Sequence, residues 1–161
     1  MSTQQLQALN NTDAPRSTEE LEAVLSIPTD EVIEMFGRLS GHLVMLGVGG
    51  KMGPTMVRMA HRAIEQSGSS MQLTAVSRFS NPAIRSRIES WGVSTKYGDL
   101  LSPSSVQELP EASHVLNLSG FKFGASDNLA LTWASNCEIP MAVCKKYANS
   151  QIAAFSTGNV Y

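Results

Sequence analysis

The sequence predicts an α/β fold: an open, doubly wound parallel sheet with strand order 3-2-1-4-5, preceded by an N-terminal helical extension. Three observations predict it. Short apolar runs alternate with helical patterns from residue 42 onward. The first run closes on a glycine-rich turn that opens a helix. There are five such runs in all, with no internal repeat, and right-handed crossovers then set their order.

The elements follow in turn. A helix starts near Ser17 or Thr18, with Glu20 and Glu22 in or near its first turn, where the helix dipole favours acids. Leu21, Val24 and Leu25 make its apolar face, and Pro28 ends it. Thr29 or Asp30 caps a second helix, whose stripe is Val32, Ile33, Phe36 and Leu39. His42–Leu46 has the texture of a buried parallel strand. A helix follows over 52–66, and the helical spacing of Met52, Met56 and Met59 marks them as core fillers. Gln72–Val76 is the second strand. Asn81-Pro82 is a cap followed by proline at the first helical position, so a helix runs to about Ser90. Val93–Tyr97 is the third strand, 103–109 a short helix or turn, and His114–Leu118 the fourth strand. Residues 127–148 are helical with a break near Pro140, and Gln151–Phe155 is the fifth strand. The domains expected are a flexible arm over 1–17, a helical lead-in over 18–41 and a nucleotide-binding domain over 42–161.

The totals fit one globular domain: 161 residues, 42% apolar, 16% charged and a net charge of −2. Charges of both signs are interspersed, which leaves no electrostatic footprint for nucleic acid. Cys137 and Cys144 suggest neither a disulfide framework nor a metal site, so a reducing, cytoplasmic setting is expected. The N-terminus lacks an apolar signal core, and no apolar run approaches the roughly 20 residues of a membrane span.

The strongest local signal is Gly47-Val-Gly49-Gly50-Lys51-Met52-Gly53, between the first strand and its helix. Gly47 suits a tight turn, Gly49 and Gly50 let backbone donors approach a pyrophosphate, and Gly53 lets the helix pack near the strand. The helix N-terminus then presents its free N–H groups to the anion. This is a Rossmann-type dinucleotide loop. The alternative is a glycine turn without a ligand. A phosphate loop of nucleotide hydrolases is excluded, because Met52 stands where Ser or Thr is needed and Met45 where the upstream glycine is needed. Lys51 either touches a phosphate or is solvated.

The second strand runs into Ser77 and Arg78, with no acid for the ribose hydroxyls. A serine donor and an arginine instead suit a 2′-phosphate, which favours NADP over NAD. The missing acid also counts against a methyltransferase.

With these motifs in order, residues 42–161 resemble the extended short-chain dehydrogenase/reductases, in their NAD-dependent epimerase/dehydratase branch. Gly47, Gly50 and Gly53 match the family's Gly-x-x-Gly-x-x-Gly loop. Gly98-Asp99-Leu100 resembles its Gly-Asp-Leu element, where the acid meets the adenine amino group. Leu118, Ser119 and Gly120 fall where the family passes a small-residue run under the cofactor, and Asn136 where it places a helix asparagine. Residues 155–161 resemble its Ser-Ser-x-x-Val-Tyr segment, which implies that Thr157 is the catalytic hydroxyl orienting the substrate oxygen.

The resemblance has a gap. The family's chemistry needs a Tyr-x-x-x-Lys pair. Tyrosines stand only at 97, 147 and 161, and Leu101 and Gln151 lie four residues beyond the first two. The expectation is therefore a cofactor-binding part, cut short of that pair and of a substrate domain. Intact, it would transfer hydride at a carbinol or carbonyl carbon of a small molecule, with nucleotide-sugars as one class. A non-catalytic NADP-binding module of the same fold is the alternative. An unpaired fifth-strand edge also predicts either self-association, as in a homo-oligomer, or stability only with the missing half or a partner.

Overall fold

The computed structural model describes residues 14–121 and 127–155. Five strands form one all-parallel sheet: β1 His42–Leu46, β2 Gln72–Ser77, β3 Ser94–Tyr97, β4 His114–Asn117 and β5 Gln151–Ala154. Their order is β3-β2-β1-β4-β5. β1 is central because its two neighbours pair along nearly its whole length, Leu46 standing opposite Val76 on one side and Asn117 on the other.

The helices are α1 Thr18–Leu25, α2 Asp30–Arg38, α3 Gly53–Ser67, α4 Pro82–Ser90, α5 Pro103–Gln107, α6 Leu129–Trp133 and α7 Ile139–Lys146. A π-helical turn, Ala134–Glu138, joins the last two. Alternation along β1 feeds two cores. Leu43 and Met45 pack with Phe36, Val57, Ile64 and Ile88 beneath α2, α3 and α4. Val44 and Leu46 pack with Val106, Ile139, Val143 and Tyr147 beneath α5 and α7. A strand covered on both faces has no polar positions, which is why β1 reads as an unbroken apolar run.

Three expectations change. Leu21 and Leu25 are 44% and 54% exposed, and α1 instead buries Glu22, Ala23 and Ser26. The docked face is polar because two arginines receive it. Arg62 Nη1 donates to Ala23 O at 2.9 Å and to Ser26 Oγ at 2.7 Å, and Arg87 pairs with Glu22 at 3.4 Å. Met52 is exposed because it stands at the cap position, outside the helix; Met56 does pack against the core. The break expected at Pro140 lies one turn earlier, in the π turn. Proline has no N–H to donate and crowds the carbonyls before it, and a widened turn upstream accommodates both.

Among the described residues β5 pairs only with β4. Near this side of the sheet Leu129, Trp133, Met141 and Phe155 are exposed. Cys137 and Cys144 are both exposed free thiols.

Tyr147 was not anticipated as core. It is 1% exposed, and its hydroxyl donates to Pro110 O at 3.0 Å. Burial, aided by the Glu111 carboxylate, pushes its pKa up to about 12. The folded state therefore holds the phenol neutral where the unfolded chain ionises it. That stability is complete below pH ~10 and is lost as pH rises towards 12. Thermal melts between pH 9 and 12 should show this decline, and Tyr147→Phe should flatten it. An unchanged slope in the variant would assign the loss to another group.

Candidate functional site

The C-terminal ends of β1 to β4 open into one cleft of about 410 Å³. It lies where the chain leaves β1 for one side of the sheet and returns as β4 on the other. Such switch points gather loops from several strands around a ligand.

The glycine loop forms its floor. Gly47 has φ +79°, and a Cβ there would lie 2.7 Å from Ser119 N. Only glycine meets both demands. Gly53 abuts the backbone of Val48, which fixes α3 against the end of β1. Gly49 faces Ser77 Oγ, with no room for a side chain between them. Gly50 differs: a Cβ there would meet nothing closer than Gly47 O at 3.5 Å. Internal packing explains three of the four glycines and leaves Gly50 open on the cleft side.

α3 begins beside this floor without a side-chain cap, Met52 holding the cap position and proline following in the first turn. α1, α2, α4, α5 and α6 are capped by Ser17, Thr29, Asn81, Ser102 and Asn128. Gly50 N donates to Gly47 O and Gly53 N to Gly50 O, both at 3.2 Å, and Pro54 has no N–H, so what the uncapped start offers an anion is chiefly the positive end of the helix dipole.

Ser77 and Arg78 form the wall after β2. Ser77 Oγ accepts from Phe79 N at 3.4 Å, so its own hydroxyl hydrogen remains free to donate. Arg78 is exposed and makes no ion pair among the described residues. Phe79, Ser80, Asn81 and Ile84 complete this wall. The sequence marked Asn81 only as a helix cap.

The next wall carries Gly98, Asp99, Leu100 and Leu101. Asp99 Oδ1 accepts from Leu101 N at 3.1 Å, and Asp99 N donates to Ser105 Oγ at 2.9 Å. One carboxylate oxygen thus holds the loop, while the other has no protein donor among the described residues.

Leu118, Ser119 and Gly120 follow β4 along the cleft. Buried Asn117 fixes them, its Oδ1 accepting from Ser119 N at 3.0 Å and from Ser119 Oγ at 2.5 Å. The far end is largely apolar, with Phe121, Leu131 and Ile139 beside Ser135. These four were not anticipated. Ser135 lies in the π turn, which no sequence period announces.

The structure thus gathers Gly47, Gly49, Gly50, Ser77, Arg78, Asp99, Leu100, Leu118, Ser119 and Gly120 around one space. Lys51, Met52, Gly53 and Asn136 lie outside its lining. The Asn136 amide is occupied instead: Oδ1 accepts from Phe121 N and Nδ2 donates to Phe121 O, both at 2.9 Å. Asn136 therefore holds the wall that Phe121 contributes. Thr157 lies outside the described residues. Among the described residues no helix is long and apolar enough to cross a membrane, and no cluster of three His, Cys, Asp or Glu could hold a metal ion.

No protein-family model matches the chain, and no curated protein is similar to it in sequence. Solved structures are similar in shape. ADP-L-glycero-D-manno-heptose-6-epimerase from Helicobacter pylori superposes with a TM-score of 0.65 at 10% identity, covering 83% of this chain and 42% of the epimerase. Ribose-5-phosphate isomerase from Brucella melitensis 16M gives 0.57 at 14% identity, over 73% of this chain and 51% of its own. NAD+-bound xylitol dehydrogenase gives 0.50 at 17% identity, over 70% and 51%. The chain spans 42% of the first and 51% of each of the other two. At these identities the likeness is one of fold, and the chain carries a five-stranded, parallel, Rossmann-like α/β fold.

Proposed function

We propose that the cleft binds a nicotinamide dinucleotide, with NADP(H) preferred to NAD(H). The chain is then the cofactor-binding part of an epimerase/dehydratase-like oxidoreductase. One observation carries the reading: open Gly50 adjoins the uncapped start of α3 at the sheet's switch point. Three other glycines there have packing reasons, and these two features have none. Both suit a pyrophosphate: space without a Cβ, and the positive end of a helix dipole beside it. A volume of about 410 Å³ is in the range of small-ligand clefts.

The remaining residues take roles in order. Asp99 meets the adenine end, and Ser77 and Arg78 receive a 2′-phosphate. Leu118, Ser119 and Gly120 pass beneath the dinucleotide, and Phe121, Leu131 and Ile139 enclose the nicotinamide end. A bound nicotinamide supplies or accepts the hydride. Thr157 orients the oxygen of a carbinol or carbonyl substrate, nucleotide-sugars being one class. The similar epimerase and the NAD+-bound dehydrogenase support this reading through their shared fold.

A second reading is an NADP-binding module without chemistry. One observation favours it: the sequence contains no Tyr-x-x-x-Lys pair.

Calorimetric titration tests the site. Gly50→Val should abolish dinucleotide binding with the fold retained, since the side chain enters pyrophosphate space but meets no packed neighbour. Tight binding by the variant would disprove the loop assignment. Arg78→Ala should erase most of the preference for NADP(H). A charge-assisted bond of about 1.5–3 kcal/mol corresponds to a loss of roughly tenfold to a hundredfold. Equal or tighter NAD(H) binding by the wild type would remove that preference. An oxidoreductase assay across carbonyl and nucleotide-sugar substrates should find no turnover by these 161 residues alone. Turnover that survives Thr157→Ala would mean a catalytic centre elsewhere in the chain.

A further inference from the structure

We propose that Phe79 sets selectivity for a 2′-phosphorylated adenosine, by anchoring in the core a left-handed turn that holds Arg78 at the cleft. The inference rests on reading the cleft as a dinucleotide site.

Phe79 has φ +46°, and no other non-glycine residue among those described has a positive φ. A bulky aromatic residue rarely adopts this region, and it persists there only where the surroundings over-determine it. They do so from three directions. The ring is buried in the cluster that contains Val57, Ile88 and Val93. The Phe79 N–H donates to Ser77 Oγ at 3.4 Å, and that oxygen packs against Gly49 of the phosphate loop. The Arg85 guanidinium lies 5.9 Å from the ring centroid and is itself tied by Nε to Glu89 at 2.9 Å and to Thr95 at 3.0 Å.

Two simpler arrangements were open to this position. Glycine would make the turn without strain, and an aromatic in the ordinary right-handed region would fill the core equally well. The sequence combines the strained backbone with the buried ring. The combination ends the extended path of β2 at residue 79, before the bend at Ser80 and Asn81, so that Arg78 and Ser80 line the cleft beside Phe79, which also borders it while its ring packs in the core. The ends of the segment are fixed, because Ser77 lies in β2 and Asn81 caps α4. Relaxation at Phe79 would therefore displace residues 78–80, and with them the one cation of this wall. It would leave the glycine loop and the start of α3 in place.

The test compares two adenosine probes on the full chain, 2′,5′-ADP and 5′-AMP, which differ only in the 2′-phosphate. Phe79→Gly permits the backbone but removes the anchor. It should weaken 2′,5′-ADP binding about tenfold or more, while 5′-AMP changes less than about threefold. Phe79→Met keeps an apolar anchor of similar volume and should retain most of the selectivity. Should the glycine variant fail to fold, Phe79→Asn, which tolerates the left-handed region, gives the same comparison. Selectivity retained by the glycine or asparagine variant alongside a lowered melting temperature would make Phe79 a packing residue only, and would overturn the proposal. So would equal loss of both probes. A wild type that binds 5′-AMP without favouring 2′,5′-ADP would overturn it while sparing the dinucleotide reading. A wild type that binds neither probe would remove both.

Discussion

Much of this structure depends on one close approach, that of the backbone leaving β1 to the backbone leaving β4. Gly47 passes so near Ser119 that a single added carbon would lie 2.7 Å from its nitrogen. Both segments must clear the sheet at the same level, because Leu46 and Asn117 are register partners at its edge. The hydrogen bonds of that crossing fix it: Gly47 N and Val48 N both donate to Val76 O, and Leu118 N donates to Leu46 O. Three strands are thereby closed at one point by backbone alone. The cleft is the space left when α3 and the β4 loop diverge from that point, and its floor is as rigid as the sheet. A ligand held there meets a backbone surface already fixed to the sheet, which lowers the ordering cost of binding.

The helical lead-in braces the wall formed by α4. α2 packs along α3 and contributes Phe36 to the core beneath it. α1 contributes little apolar area and is held by polar contacts: Arg62 from α3 bonds the end of the helix, and Arg87 from α4 pairs with Glu22. Arg58 lies over Trp91 nearby, 5.1 Å from the ring centroid. α1 therefore bridges the two helices that follow the glycine loop and the Ser77–Asn81 segment. Rigidity at α4 is the condition under which a strained Phe79 can persist at its N-terminal side.

The sequence announced what depends on periodicity and on chain reversal. β1 was legible because burial on both faces leaves only apolar residues after His42, and the loop before α3 because glycines there answer steric demands. The strand order followed from handedness. The parts that stayed hidden depend on tertiary partners. Leu21 and Leu25 have helical spacing, yet α1 turns its polar side inward because two arginines from distant segments receive it. Propensity has no access to such a partner. The π turn itself was not anticipated, because proline marks where a helix is disturbed, not how the backbone absorbs the disturbance. At the site, residues ending strands were found because strand ends are where sheets present ligands. Ile84, Leu131 and Ile139 come from helices and enter the cleft only through packing, so their apolar character looked like ordinary core.

The two walls of the cleft differ in what they can do chemically. The side formed after β2 and β3 carries its only titratable lining groups among the described residues, Arg78 and Asp99. One oxygen of Asp99 already holds its own loop. The opposite side offers the hydroxyls of Ser119 and Ser135 among Leu118, Phe121, Leu131 and Ile139. Ser119 is committed to Asn117 by a 2.5 Å bond. General acid–base catalysis needs a group whose pKa lies near the working pH, within bonding reach of the reacting atom. A guanidinium and four serine hydroxyls do not supply one, and the Asp99 carboxylate stands on the wall opposite the apolar one. On the proposed reading, the described lining residues bind and orient the dinucleotide. The proton of an oxidoreductase reaction would have to be handled by groups outside this lining. A sensing module, by contrast, would need nothing more than the cleft as it stands. The distinction between the two readings thus reduces to one chemical question, whether a titratable group is brought to the apolar wall.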